Sequence, residues 1–300
     1  MKICLAVPVR DKARTLRRTV NACLAQEGEP IEILISDQMS TDGSWEILQD
    51  YTAKYDGPHT LRIVRCPETE YRGMAGMNAH FCWMHNQSDA DVFINCSADD
   101  MPLKQRAMQT RIAYEEHDPH MVLTRQFFLD EEGDKLVYAG ETAHPSETGW
   151  VKYEDVFAKA IGGSTSQSWS RKFFEMIGGL QGLGSQDMVM PFVAAALGKC
   201  WYINERLHAY VKVSDLNNTG LEGVMRATQD AEELLRLEEL CHMQVTCGLF
   251  TSAQKLGECG MVEPATQNAL VAAIVDRAAS WQRCRQKMAL QRIQPRAITV

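Results

Sequence analysis

Residues 2–9 read KICLAVPV, a short apolar run rich in Val and Ile that fits a strand buried in a sheet. The period then changes. Leu16, Val20 and Leu24 recur at helical spacing between Lys12 and Gln26. IEILIS at 31–36 is a second strand, and the turn-rich segment Asp37-Gln-Met-Ser-Thr-Asp-Gly-Ser44 follows it. Thr41 or Asp42 caps the next helix, whose apolar positions are Trp45, Ile47, Leu48 and Tyr51. TLRIVR at 60–65 is a third strand. A helix through Met74–His85 and a fourth strand at Asp91–Cys96 continue the alternation. Strands that alternate with helices in this way build a mostly parallel sheet with helices on both faces, an α/β architecture.

The middle of the chain differs. MVLTRQFFLDEEGDKLVY at 121–138 is two β-type runs around Asp-Glu-Glu-Gly, the pattern of a hairpin. Residues 150–160 are expected to be helical, Gly162-Gly-Ser-Thr165 a loop, Arg171–Ile177 and Asp187–Leu197 helices, and Cys200–Ile203 a strand. From about Leu221 the composition shifts to Ala, Leu, Glu, Arg and Gln, and 221–247 and 263–291 fit long helices. The expected organisation is an α/β domain over 1–220 and a helical C-terminal region over 221–300. That region is expected to be a packing appendage, or an element for homo-oligomer formation.

The 300 residues are 45% hydrophobic and 23% charged, with a formal net charge of −8, which argues against a large basic footprint for nucleic acid. The basic strip Lys12-Ala-Arg-Thr-Leu-Arg-Arg18 is expected to be the solvated face of a helix. No segment is apolar for long enough to cross a membrane, and the N-terminus is too short and too charged for a signal peptide. The ten cysteines form no Cys-x-x-Cys pair, and several lie in apolar runs. They imply a reduced, cytoplasmic protein without a zinc site. The eight histidines show no metal-ligand spacing and are expected on the surface or in packing.

In an open α/β sheet, ligands bind at the carboxyl ends of the strands. Asp37 follows the second strand, Glu70–Asn78 the third, and Asp99-Asp100 the fourth. Each has an ordinary alternative. Asp is a favoured turn former, and Ser-Gln-Asp187 before an apolar run fits a helix cap. A dinucleotide fingerprint and a P-loop are both missing, so a bound diphosphate would need other neutralisation. A divalent cation on Asp99-Asp100 would supply it, because hard carboxylate oxygens suit Mg²⁺ or Mn²⁺.

Taken together, PVRDKARTLRRTVNACLAQ, IEILISDQMSTDGSWEIL and INCSADDMP resemble a family-2 glycosyltransferase with the GT-A fold. The resemblance extends through the Leu129–Gly133 hairpin and the segment Arg171–Lys199, and covers about residues 2–215. It implies transfer of a sugar from a nucleotide-diphosphate donor, a UDP-sugar, to an acceptor hydroxyl, dependent on a metal and with inversion. The acceptor is left open among saccharide, lipid-linked sugar, protein and modified nucleobase. The implied donor pocket comprises Pro8, Val9, Arg10, Asp37, Arg72, Asn78 and Asp99. Asp37 would take the nucleobase. Asp99 would contact the ribose or the metal, and Asp100 would be the main metal ligand, with Mn²⁺ or Mg²⁺ as cofactor. Asp187 resembles the catalytic base.

Five positions depart from the family pattern. Ser97 stands where the first Asp of Asp-x-Asp is common, and Gln186 where Glu is frequent. Arg10-Asp11 replaces Tyr-Asn, and Met77 stands where Arg often precedes Asn78. Two other readings stand beside this one, the first kept open by Ser97 and Arg10-Asp11. One is a degenerate GT-A domain that binds a sugar nucleotide or partner without turnover. The other is a nucleotidyltransferase, against which the missing glycine in PVRDKARTL counts.

Overall fold

The computed structural model describes residues 1–67, 73–130, 135–138, 145–153, 155–156, 164–180, 186–211, 231–258, 260 and 262–293. Its first half runs β1 (Ile3–Val9), α1 (Ala13–Leu24), β2 (Glu32–Asp37), α2 (Ser44–Lys54), β3 (Thr60–Arg65), α3 (Gly73–Gln87), β4 (Val92–Asn95), β5 (Met101–Pro102) and α4 (Arg106–His117). The second half runs β6 (Met121–Leu129), β7 (Leu136–Tyr138), β8 (Gly149–Trp150), β9 (Gln167–Ser170), α5 (Arg171–Met176), α6 (Gln186–Ala196), β10 (Cys200–Val211), α7 (Ala231–Glu258) and α8 (Pro264–Ile293).

One sheet has the order β3-β2-β1-β4-β9-β6-β10-β5, with β7 on β6 and β8 on β10. The β1–β2, β2–β3, β1–β4 and β6–β10 pairs are parallel. The short β9 runs antiparallel between β4 and β6. The long strands therefore all point one way, and their carboxyl ends share one edge. The register sets Val9 opposite Asp37 and Asp37 opposite Arg65, one row across three strands at that edge.

Both sheet faces are covered, which is why the strands carry continuous apolar runs. Leu16, Val20 and Cys23 of α1, Leu48 of α2, and Ala107, Ala113 and Tyr114 of α4 pack on one face. Phe81 and Met84 of α3, Phe173 and Phe174 of α5, and Val189, Met190 and Phe192 of α6 pack on the other. Leu249 and Ala253 of α7 and Leu270 and Ile274 of α8 join this second layer, so the helical pair is seated on the α/β core. Among the described residues, no helix is long and apolar enough to cross a membrane.

The expected strands at 2–9, 31–36, 60–65 and 91–96 are β1 to β4, and the expected hairpin is β6–β7. Three strands were not foreseen: β5, β8 and β9. β10 continues to Val211, well past the expected Ile203, through register shifts between Ile203 and His208. Trp150 of the expected 150–160 helix belongs to β8; residues 154 and 157–160 of it, the Gly162-Gly163 part of the loop and the 220/221 boundary lie outside the described residues.

Candidate active site

Two turns at the carboxyl ends of β1 and β2 are built on each other. Asp11 and Met39 hold φ of 50° and 53°, a left-handed backbone that is uncommon outside glycine and tolerated by Asp. The Asp11 N–H donates to Ser40 Oγ at 2.9 Å, and the Thr41 N–H donates to Asp11 Oδ1 at 2.8 Å. Asp42 secures two helix starts, accepting from the Ala13 N–H of α1 at 2.8 Å and from the Ser44 N–H of α2 at 3.0 Å. Burial pushes the Asp42 carboxyl up, but the hydrogen bonds from Ser44 and Ala13 outweigh it and hold the group below its ordinary value.

Asp37 ends β2 and is fully buried. Its Oδ2 accepts from the Ser40 N–H and from Arg65 Nε, each at 3.2 Å. Its Oδ1 is buried and has no hydrogen-bond partner among the described residues. Arg65 lies with its guanidinium carbon 4.9 Å from the Trp45 ring centroid. Behind this row, His80 of α3 bonds Ser36 Oγ through Nε2 at 2.7 Å. Burial, and then the Arg10 charge, lower the His80 pKa to about 4.

The SADD turn closes β4. Thr15 and Thr19 of α1 both donate to the Ala98 carbonyl, at 3.0 and 2.9 Å. Lys12 Nζ lies 2.7 Å from Asp99 Oδ2, and Arg18 reaches the Asp99 carbonyl at 3.3 Å. Two cations of the basic strip thus turn inward onto this turn, where a fully solvated face was expected. Asp99 keeps 17% of its side-chain surface exposed, whereas Asp100 is 1% exposed. Asp100 Oδ1 accepts from the Val211 N–H at 2.9 Å, and Oδ2 lies 3.3 Å from His208 Nε2. His208 is in turn bonded at Nδ1 by the buried Arg106, 2.7 Å away, which also donates to the carbonyls of Asn95 and Thr165. The expectation of surface or packing histidines resolves to packing for His80, His85 and His208, each at most 3% exposed.

Burial raises both carboxyls of the turn. Asp99 is raised further by the charge of Asp100, and Asp100 reaches about 7. Such a shift marks negative charge that the surrounding protein leaves under-compensated. Among the described residues, no three His, Cys, Asp or Glu side chains group closely enough to cage a metal ion. The pair still fits a hard divalent cation that takes one or two carboxylates and completes its shell with phosphates and water. Asp99 is the more reachable of the two.

Asp187 lies in the first turn of α6, and its carbonyl accepts from Gln167 Nε2 at 2.9 Å. Gln167 is the first residue of β9, whose start lies at the carboxyl edge of β4, so Asp187 belongs to the same side of the sheet as Asp37 and Asp99. A carboxylate in a first turn is also favoured by the helix dipole. Gln186 beside it is 1% exposed, and both polar atoms of its carboxamide lack a hydrogen-bond partner among the described residues. Pro8 and Val9 end β1 and Arg10 follows them at this edge. Asn78 is buried in α3 and donates to the Leu180 carbonyl at 3.2 Å. Arg72 lies outside the described residues. Lys12, Arg65, Arg106 and His208 were not singled out from the sequence as site residues. Only the basic strip around Lys12 gave a signal, and it was assigned to solvent.

Comparison with solved structures finds the same fold in several glycosyltransferases. TarS 1–349 of S. aureus, in complex with UDP-GlcNAc, aligns with a TM-score of 0.62 and 14% identity over 93% of this chain and 73% of that one. The mannosyltransferase PcManGT from Pyrobaculum calidifontis, in complex with GDP-Man and Mn²⁺, aligns with a TM-score of 0.51 and 16% identity over 93% and 80%. No curated protein matches the sequence. The sequence does match Glycosyl transferase family 2 over residues 4–169. That match starts inside β1, ends inside β9, and takes in the Asp37 row and the SADD turn. The GT-A sheet and this match over more than half of the chain agree: the chain belongs to glycosyl transferase family 2.

Proposed function

We propose that the protein transfers a sugar from a nucleotide-diphosphate donor, a UDP-sugar, to an acceptor hydroxyl with inversion at the anomeric carbon. One observation carries the donor reading. Asp37 is a fully buried carboxylate with an unpartnered oxygen, and it lies at the strand edge where open α/β sheets take their ligands. An uncompensated acceptor there suits the N–H of a nucleobase. The complexes of TarS with UDP-GlcNAc and of PcManGT with GDP-Man support the same class of donor.

The chemistry follows from the surrounding groups. Pro8, Val9 and Arg10 line the base side together with Asp37, Arg72 would reach the base or the phosphates, and Asn78 belongs to the segment that closes the pocket. Lys12 and Arg18 bring positive charge to the SADD turn, where they would face the donor diphosphate. Asp99 and Asp100 would hold Mn²⁺ or Mg²⁺, and Asp99 would also reach the ribose. The ion would supply charge stabilisation to the departing diphosphate. The acceptor hydroxyl is a poor nucleophile, and Asp187 takes its proton during attack. One base suffices for direct displacement, which inverts the centre without a covalent intermediate. We assign catalysis to residues 1–220 and a supporting, oligomer-forming role to 221–300. We place the protein in the reducing cytoplasm, in keeping with buried thiols such as Cys4, Cys23 and Cys96.

Calorimetric titration with UDP in the presence of Mn²⁺ tests the assignment. Binding at a single site that is lost in Asp100→Ala supports it. Failure of UDP, GDP and dTDP alike to bind refutes it.

A further inference from the structure

The Asp37 carboxylate is used unevenly. Oδ2 already accepts two donors, the Ser40 N–H and Arg65 Nε, each at 3.2 Å. Oδ1 is buried and accepts none among the described residues. Arg65 spends only Nε on this contact, and its two terminal nitrogens have no hydrogen-bond partner among the described residues. Trp45 supports the flat guanidinium, 4.9 Å from its ring centroid, and 38% of the Arg65 side chain is exposed. A single free acceptor therefore stands beside a planar set of free donors.

We propose that Arg65 is a nucleobase-specificity residue that makes this site choose uracil over guanine. The inference rests on the donor reading above. Uracil carries one imide N–H flanked by carbonyls. The N–H meets Oδ1, and a flanking carbonyl accepts from Arg65. Guanine presents two neighbouring donors, its ring N–H and its amino group, which want both oxygens of a carboxylate. Arg65, together with the Ser40 N–H, fills the second oxygen, so one guanine donor is left unpaired in a buried site, and such a loss is what enforces strong discrimination. Thymine shares the imide edge, so the edge alone admits both UDP and dTDP.

The test is calorimetric titration of the full chain with UDP, dTDP and GDP at fixed Mn²⁺, for wild type, Arg65→Gln and Arg65→Lys. Wild type is expected to bind an imide nucleotide, UDP or dTDP, at least about tenfold more tightly than GDP, the worth of one hydrogen bond to a charged group. Arg65→Gln removes the charged donor and opens one acceptor position on Oδ2, which keeps only the Ser40 N–H. It is expected to weaken UDP about tenfold and to bring UDP and GDP to near parity. Arg65→Lys keeps the charge but not the planar fork, and is expected to recover affinity without recovering the full preference. A structural role alone would weaken all nucleotides equally. An unchanged UDP-to-GDP ratio in Arg65→Gln, or an equal loss for every nucleotide, overturns the proposal and leaves the donor reading intact. If no nucleotide binds wild type, the donor reading falls first and this proposal with it. Arg65 is at the exposed end of strand β3, and Trp45→Leu, which removes its support, is expected to shift the ratio in the same direction.

Discussion

His80 offers a quantitative test of how the floor of the site is held. The ring is 2% exposed, its Nε2 is tied to Ser36 Oγ at 2.7 Å, and its folded pKa lies at about 4 against 6.5 for the free side chain. Burial is the main cause, and the Arg10 charge adds to it. A base whose folded pKa is depressed contributes stability that is complete above its unfolded pKa and is lost as pH falls toward the folded one. The window here runs from 6.5 down to about 4. Proton linkage gives a loss of about 2 kcal/mol between about pH 7.5 and about pH 5, and about 3 kcal/mol by about pH 4. His80→Gln keeps a hydrogen-bonding partner for Ser36 and removes the titration. Urea unfolding at the two upper pH values should therefore show the variant losing about 2 kcal/mol less than wild type on acidification. His85, lowered to about 4 by burial and Arg171, titrates in both proteins and cancels in the comparison. Equal losses in variant and wild type would show that His80 is not held neutral by its burial.

Two further substitutions probe the scaffold. Asp42→Ala removes acceptors from the starts of both α1 and α2, and should destabilise the fold by about 1–3 kcal/mol in urea unfolding at neutral pH. Its folded pKa is lowered, so the part of its contribution that depends on ionisation is present above the unfolded carboxylate pKa of 3.8 and is lost as pH falls through the folded one; the gap between variant and wild type should narrow at the acid end. Arg106→Met leaves the Asn95 and Thr165 carbonyls and His208 without their buried donor. A loss of about 4 kcal/mol is expected, read as a melting point lower by on the order of 10 °C.

The parallel half of the sheet was legible because KICLAVPV, IEILIS and TLRIVR are compact apolar runs separated by helical periods. Asp37 and the SADD turn were legible as strand ends for the same reason. β9 was not, because Gln167-Ser-Trp-Ser170 has no apolar run or alternation. It is a strand because β4 and β6 flank it, and its buried polar side chains bond across elements, as Ser168 does to the Val122 carbonyl at 3.3 Å. β10 was cut short because Glu205 and Arg206 interrupt its pattern; the structure absorbs them at register shifts. The electrostatics of the site were hidden for a different reason. Lys12–Asp99, Arg65–Asp37 and Arg106–His208 join residues 87, 28 and 102 positions apart, and no local pattern reports such pairs.

The proposed reaction is glycosyl transfer from a nucleotide-sugar donor with Asp187 as base. It is tested most directly by nucleoside diphosphate release across a panel of nucleotide sugars, for wild type and Asp187→Asn. The account predicts release from a UDP-sugar by wild type. In Asp187→Asn, it predicts a rate lower by about 10²–10⁴-fold with UDP affinity unchanged. Release that is equally fast in Asp187→Asn would remove Asp187 from the mechanism, and no release from any donor in the panel would contradict the claim itself.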